Sequence, residues 1–426
     1  MSFIADFHIH SKYSRACSRN LDLPNINAWC QIKGIDLVGT ADFTHPTWFQ
    51  ELNTMLEECD LGVYRLKDEF ISQNVEVYVP EICQREVRFL CSTEISLIYK
   101  RHDKVRKVHL VILAPSLEVV AKINIKLEQI GNINSDGRPI LGLDSEELVK
   151  ILLDISSQIQ VIPAHVWTPH FAVFGSKSGF DSIEECFGEM SDHICALETG
   201  LSSDPLMNWQ ISKNDKYVLV SSSDAHSPPK LGREATILHT ECNYPAILQA
   251  LRHDHSKITG TIEFFPEEGK YHADGLRNEN LCLKPEDTKK YNLVSPQTGK
   301  PITVGVLHRV SDLADHPWGR KPDQASAYFY IIPLIEILSE ILGVGPNSKK
   351  VQQKYFSVLE KLGSEFDILK NISLKKIVEC DPVLGEAIKR MREGQVIIQP
   401  GYDGEYGVIR LFEKGENPNQ KQKSLF

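Results

Sequence analysis

The chain has 426 residues, of which 42% are hydrophobic and 24% charged, and its formal net charge at pH 7 is −10. This composition is typical of a globular protein of two or three domains and argues against a disordered chain. The negative total does not exclude nucleic acid as a partner, because the acidic residues concentrate before residue 270 and the remainder is slightly basic.

Strand-like runs alternate with segments of helical spacing through the first part of the chain. Seven runs are predicted as strands, at residues 3–7, 35–40, 87–92, 107–113, 159–163, 194–197 and 217–222. Helices are predicted at residues 46–58, 145–153 and 244–252. This alternation favours a parallel sheet, and seven strands indicate a barrel of the TIM type or a seven-stranded relative. In such barrels the chemistry lies at the carboxyl ends of the strands.

The first predicted strand ends in His8 and His10, which point to the same side because strand residues alternate between faces. A single His-x-His is a weak metal signal, but nearly every later strand also finishes in a residue that can ligate a metal. These residues are Asp42, Glu94, His109, His165, Glu198, Asp224 and His226. Imidazoles and carboxylates without cysteine suit Zn²⁺, Mn²⁺ or Fe²⁺ at a hydrolytic site. We therefore expect two or three divalent ions, with Zn²⁺ as the first choice and Mn²⁺ or Mg²⁺ as alternatives, able to lower the pKa of bound water to about 7.

The C-terminal region is predicted to be mainly helical. Helices are expected at residues 325–342, 349–362 and 374–379, followed by one from Pro382 to about residue 393 with Asp381 as its N-cap. A closing hairpin is expected at residues 396–399 and 407–411. The last two helices could form a helix-hairpin-helix that holds a phosphate backbone. The candidate contacts are Lys375, Lys376, Lys389, Arg390 and Arg392; for each, a solvated helix face is the alternative interpretation.

The targeting and redox signals are those of a cytosolic protein. No basic segment followed by an apolar run is found near the start, so no secretory signal is expected. The ten cysteines are scattered without a Cys-x-x-Cys pair, as is typical of free thiols. The longest apolar stretch, residues 328–342, is interrupted by Pro333, Glu336 and Glu340, so no membrane segment or membrane partner is expected.

The ligand-type residues, in this order, resemble the PHP (polymerase and histidinol phosphatase) family of metal-dependent phosphoesterases. The matching motifs are His8-Ile9-His10-Ser11, Glu94, His109, His165 and Asp224-Ala225-His226. The resemblance implies an α/β fold with a distorted (β/α)7 barrel. It assigns one ion to His8, His10, Glu94 and Asp224, a second to Glu94, His109 and His165, and a third to Asp42 and His226. Glu94, Asp224 and His226 are then the expected catalytic residues.

The third site departs from the family pattern. The family commonly has Thr-Asp-His where this chain reads Thr40-Ala41-Asp42, and the further histidine expected shortly after His10 is missing. A weak or absent third ion is therefore expected.

A closer resemblance covers nearly the whole chain. Its motifs are residues 40–48, 164–170, 222–228, 305–310 and 400–404, and they are similar to endonuclease Q. This resemblance implies a PHP barrel at residues 1–266, a small zinc-ribbon-like module at 267–312 and a helical DNA-binding domain at 313–426. Where the family carries Cys-x-x-Cys-Gly, this chain has Ser295-Pro296-Gln297-Thr298-Gly299. We therefore expect a degenerate module that has lost its metal and is held by packing.

The resemblance implies a metal-dependent DNA repair endonuclease in the cytosol, associated with the nucleoid. The expected cut lies 5′ to a deaminated base (uracil, hypoxanthine or xanthine) or an abasic site. Trp48, Trp167 and Tyr271 are candidates to stack on an extruded base, with core packing as the alternative interpretation. His170 is a candidate DNA contact near the barrel mouth, and Glu198 is a candidate partner that orients a ligand histidine. Whether a sliding clamp binds the chain is left open.

Two other functions remain open at this point. A PHP phosphatase acting on a small phosphate monoester would use the same ligands, although about 160 residues after the barrel exceed what a small substrate needs. A non-catalytic DNA-binding relative would explain the altered third site. Hydrolysis of a generic monoester would identify the first, and DNA binding without nicking would identify the second.

Overall fold

The computed structural model describes residues 2–413, 415 and 416, which form an α/β fold. The strands up to residue 263 are β1 (Ser2–Asp6), β2 (Leu37–Gly39), β3 (Leu56–Asp60), β4 (Val63–Leu66), β5 (Arg88–Leu90), β6 (Ser92–Arg101), β7 (Lys104–Leu113), β8 (Ile140–Leu141), β9 (Gln160–Pro163), β10 (Ala196–Glu198), β11 (Val218–Val220), β12 (Ala235–His239) and β13 (Ile258–Glu263). The helices of this part are α1 (Leu23–Lys33), α2 (Pro46–Met55), α3 (Leu117–Glu128), α4 (Ser145–Ile155), α5 (Ile183–Phe187), α6 (Pro205–Asn208) and α7 (Tyr244–Arg252).

The strands of this part form three sheets. One runs in the order β13, β12, β1, β2, β5, β4, β3, a second in the order β8, β6, β7, β9, and β10 pairs in parallel with β11. All seven predicted strands are present, but the expectation of a parallel sheet is wrong for several pairs. For example, β1 is parallel to β2 but antiparallel to β12. The apolar core lies between these sheets and the helices around them.

The strands β6 and β7 form one long antiparallel hairpin, which the sequence pattern did not predict. Their ladder runs from the pair Ser92 and Leu113 to the pair Arg101 and Lys104. The two turn residues, His102 and Asp103, both have positive φ, of 53° and 57°, as a two-residue type I′ turn requires. The register places Glu94 opposite Val111, and His109 is two residues along the same face. The hairpin therefore brings two predicted metal ligands together diagonally.

The last third of the chain has its own elements. Its strands are β14 (Asp274–Leu276), β15 (Leu281–Leu283), β16 (Ala327–Tyr330), β17 (Ile397–Gln399) and β18 (Val408–Arg410). Its helices are α8 (Pro285–Lys290), α9 (Val306–Leu313), α10 (Leu334–Leu342), α11 (Lys349–Leu362), α12 (Leu374–Cys380) and α13 (Pro382–Arg392). The predicted helices at 349–362 and 374–379, the helix after Asp381 and the closing hairpin are all present within one or two residues.

The predicted helix at residues 325–342 is wrong in its first half. The aromatic segment of β16 pairs in parallel with β13, from Gly260 opposite Ala327 to Glu263 opposite Tyr330. Aromatic residues favour strands, and a residue before proline is biased away from helix, so α10 begins only after Pro333. Because β16 extends the sheet that contains β1, the C-terminal region is tied directly to the first part of the chain.

A buried ion pair also joins α1 to the C-terminal helices. The Lys33 ammonium lies 2.8 Å from Glu365 Oε2, and both side chains are buried. Glu365 also accepts hydrogen bonds from the Tyr355 hydroxyl, at 2.6 Å, and from the backbone amide of Leu334, at 3.0 Å. These bonds satisfy the buried carboxylate, as a charge away from water requires.

The turn at residues 295–299 is held by hydrogen bonds. The Ser295 and Thr298 hydroxyls both donate to the carboxylate of Glu279. The amides of Gln297 and Thr298 donate back to Ser295 Oγ, at 3.1 and 3.4 Å. The two hydroxyls occupy the places where the family resemblance expects cysteines, so a carboxylate now joins the two sides of the turn.

Replacing Glu279 with glutamine is expected to loosen this turn, because an amide oxygen accepts more weakly than a carboxylate from two hydroxyls. Hydrogen exchange measured by mass spectrometry should show amides 295–300 exchanging several-fold faster, with the rest of the chain unchanged. Glu286→Gln, an exposed change in α8, is the control. Equal exchange in both variants would contradict a role for Glu279 in holding the turn.

The ten cysteines are free thiols. Among the described helices, none has both the length and the apolar character that crossing a membrane requires.

Candidate metal centre

Six predicted ligands converge in two groups. The ligand atoms of each group all lie within 4.8 Å of one another. The groups are His8, His10, Glu94 and Asp224, and Glu94, His109 and His165. They come from the ends of β1, β9 and β11 and from the β6–β7 hairpin. Residues more than 200 positions apart therefore meet at one site.

The first group places two imidazoles against two carboxylates. His10 Nε2 lies 3.0 Å from Asp224 Oδ1 and 3.5 Å from Glu94 Oε2. His8 Nε2 lies 3.6 Å from Glu94 Oε1 and 3.7 Å from Asp224 Oδ1, and this buried atom has no hydrogen-bond partner among the described residues. A buried nitrogen aimed between two carboxylates is the donor arrangement that a divalent ion uses.

The second group shares Glu94 with the first. Glu94 Oε1 lies 2.6 Å from His109 Nδ1 and 3.1 Å from His165 Nε2. The two imidazole nitrogens are 3.3 Å apart. Glu94 is fully buried. Its Oε1 lies near His8, His109 and His165. Its Oε2 lies near His10, so this carboxylate could be shared by two ions.

Three site residues have left-handed backbone conformations. The φ angles are 36° at Asp42, 32° at His165 and 47° at Asp224. Each follows the end of a strand, where the chain turns sharply inward. Such conformations cost on the order of 1–3 kcal/mol each in residues other than glycine, and they concentrate at functional sites.

The carboxylate of Glu198 holds His8 and the His165 backbone in position. Glu198 accepts from His8 Nδ1, at 3.0 Å to Oε2, and from the His165 backbone amide at 2.8 Å. Its bond to Nδ1 leaves Nε2 of His8 facing the first group. Glu198 therefore has the geometry expected of a residue that orients a ligand.

Asp42 lies beside His10 but belongs to neither group. Its Oδ1 is 3.2 Å from His10 Nδ1. Its Oδ2 accepts from the Ser11 amide at 2.7 Å, the Ser11 hydroxyl at 2.6 Å and the Ser14 hydroxyl at 2.8 Å. These four bonds use the acceptor positions that a carboxylate has, so Asp42 orients His10 in the structure.

His226 also lies at the edge of the centre, outside both groups. Its Nδ1 donates to the backbone carbonyl of Asp224 at 2.8 Å, and its ring packs 4.6 Å from that of His10. The hydrogen bond places the proton on Nδ1 and leaves Nε2 as an acceptor. His226 is about one third exposed, so it can meet a ligand from the solvent side.

At most of these groups, neighbouring groups of opposite charge shift the pKa more than burial does. Burial lowers the pKa of His10, but hydrogen bonds to Asp224 and Asp42 outweigh it and raise the pKa to about 9. Burial raises the pKa of Glu94, but the charges of His109 and His8 hold it well below its usual range. For His109 burial dominates and lowers the pKa to about 4. A protonated His10 must lose its proton to ligate a metal, so ion binding here is coupled to proton release.

Arg138 is a site residue that the sequence reasoning missed. Its guanidinium donates to Glu94 Oε2 at 3.0 Å. It lies in the loop before β8, within the segment Ser135-Asp136-Gly137-Arg138-Pro139, which reads only as a turn. The presence of an arginine between Gly137 and Pro139, in a segment that must bend sharply, is the only signal that could have drawn attention to it.

Two predicted base contacts are wrong. Trp48 and Trp167 are fully buried. The Trp48 indole donates to the carbonyl of Thr40 at 2.9 Å, and that of Trp167 donates to Asn208 Oδ1 at 2.8 Å. Both rings therefore fill the core and cannot stack on an extruded base. The rings of His170 and Tyr271 are exposed, and their contact with DNA stays a prediction.

Two of the five predicted basic contacts have structural roles instead. Arg390 pairs with Glu386 and Glu416, and Arg392 donates to the backbone carbonyls of Ile368 and Leu369. The remaining three are exposed and have no ion pair among the described residues. They are Lys375, Lys376 and Lys389.

Known proteins are similar to this chain both in its C-terminal region and over nearly its whole length. The family model described as the MJ0043 C-terminal domain matches residues 333–395. The uncharacterized protein MJ0043 of Methanocaldococcus jannaschii is 35% identical over 255 residues, which are 57% of this chain. The match spans only 31% of that longer protein.

Two solved structures match nearly end to end. The crystal structure of the lesion-specific endonuclease PfuEndoQ from Pyrococcus furiosus is 30% identical, covers 99% of each chain and has a TM-score of 0.83. A structure of endonuclease Q with a 27-mer duplex substrate carrying an abasic lesion at the active site is also 30% identical. It covers 98% of this chain and 100% of that one, with a TM-score of 0.81.

Proposed function

The chain belongs to the endonuclease Q family, and on that premise we propose that it is a metal-dependent DNA repair endonuclease. It cuts the phosphodiester on the 5′ side of a deaminated base, such as uracil, hypoxanthine or xanthine, or at an abasic site. The observation that carries the proposal is the pair of ligand groups that share Glu94. A monoester phosphatase or a DNA-binding relative without activity is not favoured by any further feature of the site.

The donor set fits two divalent ions. The first is assigned to His8, His10, Glu94 and Asp224, and the second to Glu94, His109 and His165. Nitrogen-rich ligands without thiolates suit Zn²⁺, and Mn²⁺ or Mg²⁺ are the alternatives. Such ions supply charge stabilisation for the phosphate and a water of lowered pKa as nucleophile. A third ion at Asp42 and His226 would need Asp42 to release hydrogen bonds that it makes with Ser11 and Ser14.

The residues of the chain fix the geometry in which this chemistry occurs. Glu198 holds His8, and Asp42 holds His10, so both imidazoles keep one nitrogen aimed at the centre. Asp224 is the most exposed member of the first group, which places it where a phosphate would enter. The pre-set orientation reduces the reorganisation needed during the reaction.

DNA is proposed to dock across the centre and the C-terminal helices. Lys375, Lys376 and Lys389 are the free cations on α12 and α13, and they would meet backbone phosphates. A damaged nucleotide must be extruded to reach a buried centre, which is easier where base pairing is weak. A cytosolic location with the nucleoid and binding of a sliding clamp stay predictions.

The proposal is tested by incubating wild type and Asp224→Asn with duplexes that carry one uracil, hypoxanthine or abasic site. We expect nicking 5′ to the lesion by wild type with added divalent metal, and none by the variant. Undamaged duplex and a small phosphate monoester are the control substrates. Uncut lesion duplexes throughout would remove the proposed function, and hydrolysis of the monoester alone would replace it by a phosphatase.

A further inference from the structure

The loop before β8 packs against Asp42, one of the two residues that the family resemblance assigns to a third ion. The backbone of Gly137 packs against Asp42 so closely that a Cβ at this position would overlap the Asp42 carboxylate and the Ser14 hydroxyl. The loop is held by the Gly137 amide, which donates to the Tyr13 carbonyl at 3.0 Å, and by the Thr44 hydroxyl, which donates to the Gly137 carbonyl at 3.3 Å. The next residue, Arg138, is thereby directed at the centre.

The Arg138 guanidinium uses only part of its hydrogen-bond donors within the described residues. One nitrogen donates to Glu94 Oε2 at 3.0 Å. In the part of the chain that the structure describes, the other side-chain N–H groups have no hydrogen-bond partner, and the side chain is 26% exposed. A guanidinium has five N–H donors in a rigid plane. Arg138 thus presents an unused donor edge at the mouth of the centre, next to the carboxylate that both ligand groups share.

With two divalent cations bound, the centre would carry a net charge of about +1, which one anion can balance. Four carboxylates lie in it: Asp42, Glu94, Glu198 and Asp224. Two divalent cations would neutralise these four charges. Arg138 then leaves one positive charge, which equals the single negative charge of a phosphodiester. Asp42 already accepts four hydrogen bonds, so it has little capacity to bind a further cation.

We propose that Arg138 is a catalytic residue that binds a non-bridging oxygen of the scissile phosphate and supplies the charge expected of a third cation. This role rests on the proposed endonuclease function. The planar donor fork of arginine matches the oxygens of a phosphate, whereas lysine offers a single point charge. The guanidinium therefore stabilises the charge that develops on the phosphate during cleavage.

The test uses the metal-loaded full chain with Arg138→Gln and Arg138→Lys. Single-turnover cleavage is measured on a lesion duplex with an ordinary scissile phosphate and on its two phosphorothioate isomers. Arg138→Gln should slow cleavage of the ordinary linkage by about 10²- to 10³-fold, and Arg138→Lys by less. For the isomer whose sulfur replaces the contacted oxygen, wild type and Arg138→Gln should cleave at similar rates. Arg65→Gln, at a surface ion pair with Glu57, is the control and should match wild type.

Metal content, measured by mass spectrometry, separates this role from a structural one. We expect about two ions per chain in wild type and in both Arg138 variants. The proposal is overturned if Arg138→Gln loses metal. It is also overturned if Arg138→Gln slows cleavage of both phosphorothioate isomers by the same factor as it slows cleavage of the ordinary linkage. Either result would mean that Arg138 only positions Glu94. Wild-type rates in Arg138→Gln would refute it while leaving the endonuclease function intact. A wild type that cuts no lesion duplex would remove both.

Discussion

Replacing Glu94 with glutamine is expected to reduce nicking by roughly 10³-fold or more. Glu94 is the only residue common to both ligand groups among the described residues. Without its charge, the second group keeps only His109 and His165, which is too few ligands for a stable divalent site. The first group keeps His8, His10 and Asp224. We therefore expect the metal content to fall by about one ion per chain.

Two measurements check this expectation: nicking of a lesion duplex, and metal content by mass spectrometry of the same preparation. Glutamine has the same shape as glutamate, so circular dichroism should show a retained fold. Glu118→Gln, on the exposed face of α3 where Glu118 pairs with Lys122, is the matched control and should nick at the wild-type rate. A Glu94→Gln protein with full metal content and normal nicking would place the reaction elsewhere.

Replacing Glu263 with glutamine is expected to stabilise the protein at pH 8 but not at pH 5. Glu263 is fully buried at the end of β13. Its Oε2 accepts from the Thr199 hydroxyl at 3.2 Å and the Ser221 hydroxyl at 3.4 Å, whereas Oε1 has no partner within the described residues. Burial raises the pKa of Glu263 to about 8, and the hydroxyl hydrogen bonds lower it only in part. The folded protein therefore keeps this carboxyl neutral at pH 7.

The sign of the pH dependence follows from the difference between the folded and unfolded states. In the unfolded chain Glu263 ionises near its ordinary pKa of 4.5, whereas in the folded chain it ionises near 8. Folding binds a proton between these values, so this group lowers the free energy of unfolding by about 1.4 kcal/mol per pH unit across the window. Glutamine mimics the neutral carboxyl at every pH. Between pH 5 and pH 8 the stability of the variant relative to wild type should therefore increase by on the order of 3 kcal/mol.

Thermal unfolding of wild type and Glu263→Gln, followed by calorimetry at several pH values, measures this gain. About 3 kcal/mol corresponds to several degrees in Tm for a unit of this size. The difference between the two proteins should be close to zero at pH 5 and should grow up to about pH 8. The exposed change Glu118→Gln should show no such growth. A difference that is the same at pH 5 and pH 8 would mean that Glu263 is ionised in the folded protein.

Most residues of the centre could be predicted because the rule behind them is local. Side chains alternate along a strand, so His8 and His10 share a face, and ligand-type residues at successive strand ends must share an edge if the strands lie side by side. Helix caps are local signals too, and Asp381 caps α13 as expected by accepting from the amides of Val383 and Leu384. None of these inferences needs a long-range contact.

The errors arose where a contact with a distant residue decides the outcome. The aromatic run at residues 327–330 becomes a strand because the edge of β13 is available to it. The Arg392 guanidinium caps carbonyls in the turn at Asp367–Asn371 rather than facing DNA. For Trp48 and Trp167 the sequence left base contact and core packing both open, because an aromatic residue reads the same in sequence whether it is core or contact.

The sequence by itself therefore determined which residues can bind metal and where most of the helices begin. Only the tertiary structure decided that Asp42 is saturated by Ser11 and Ser14, that Glu94 serves both ligand groups and that Arg138 enters the centre. The physical reason is that the residue type sets which atoms of a side chain can donate, accept or bind metal. Whether those atoms are still free depends on which distant groups the fold places beside them.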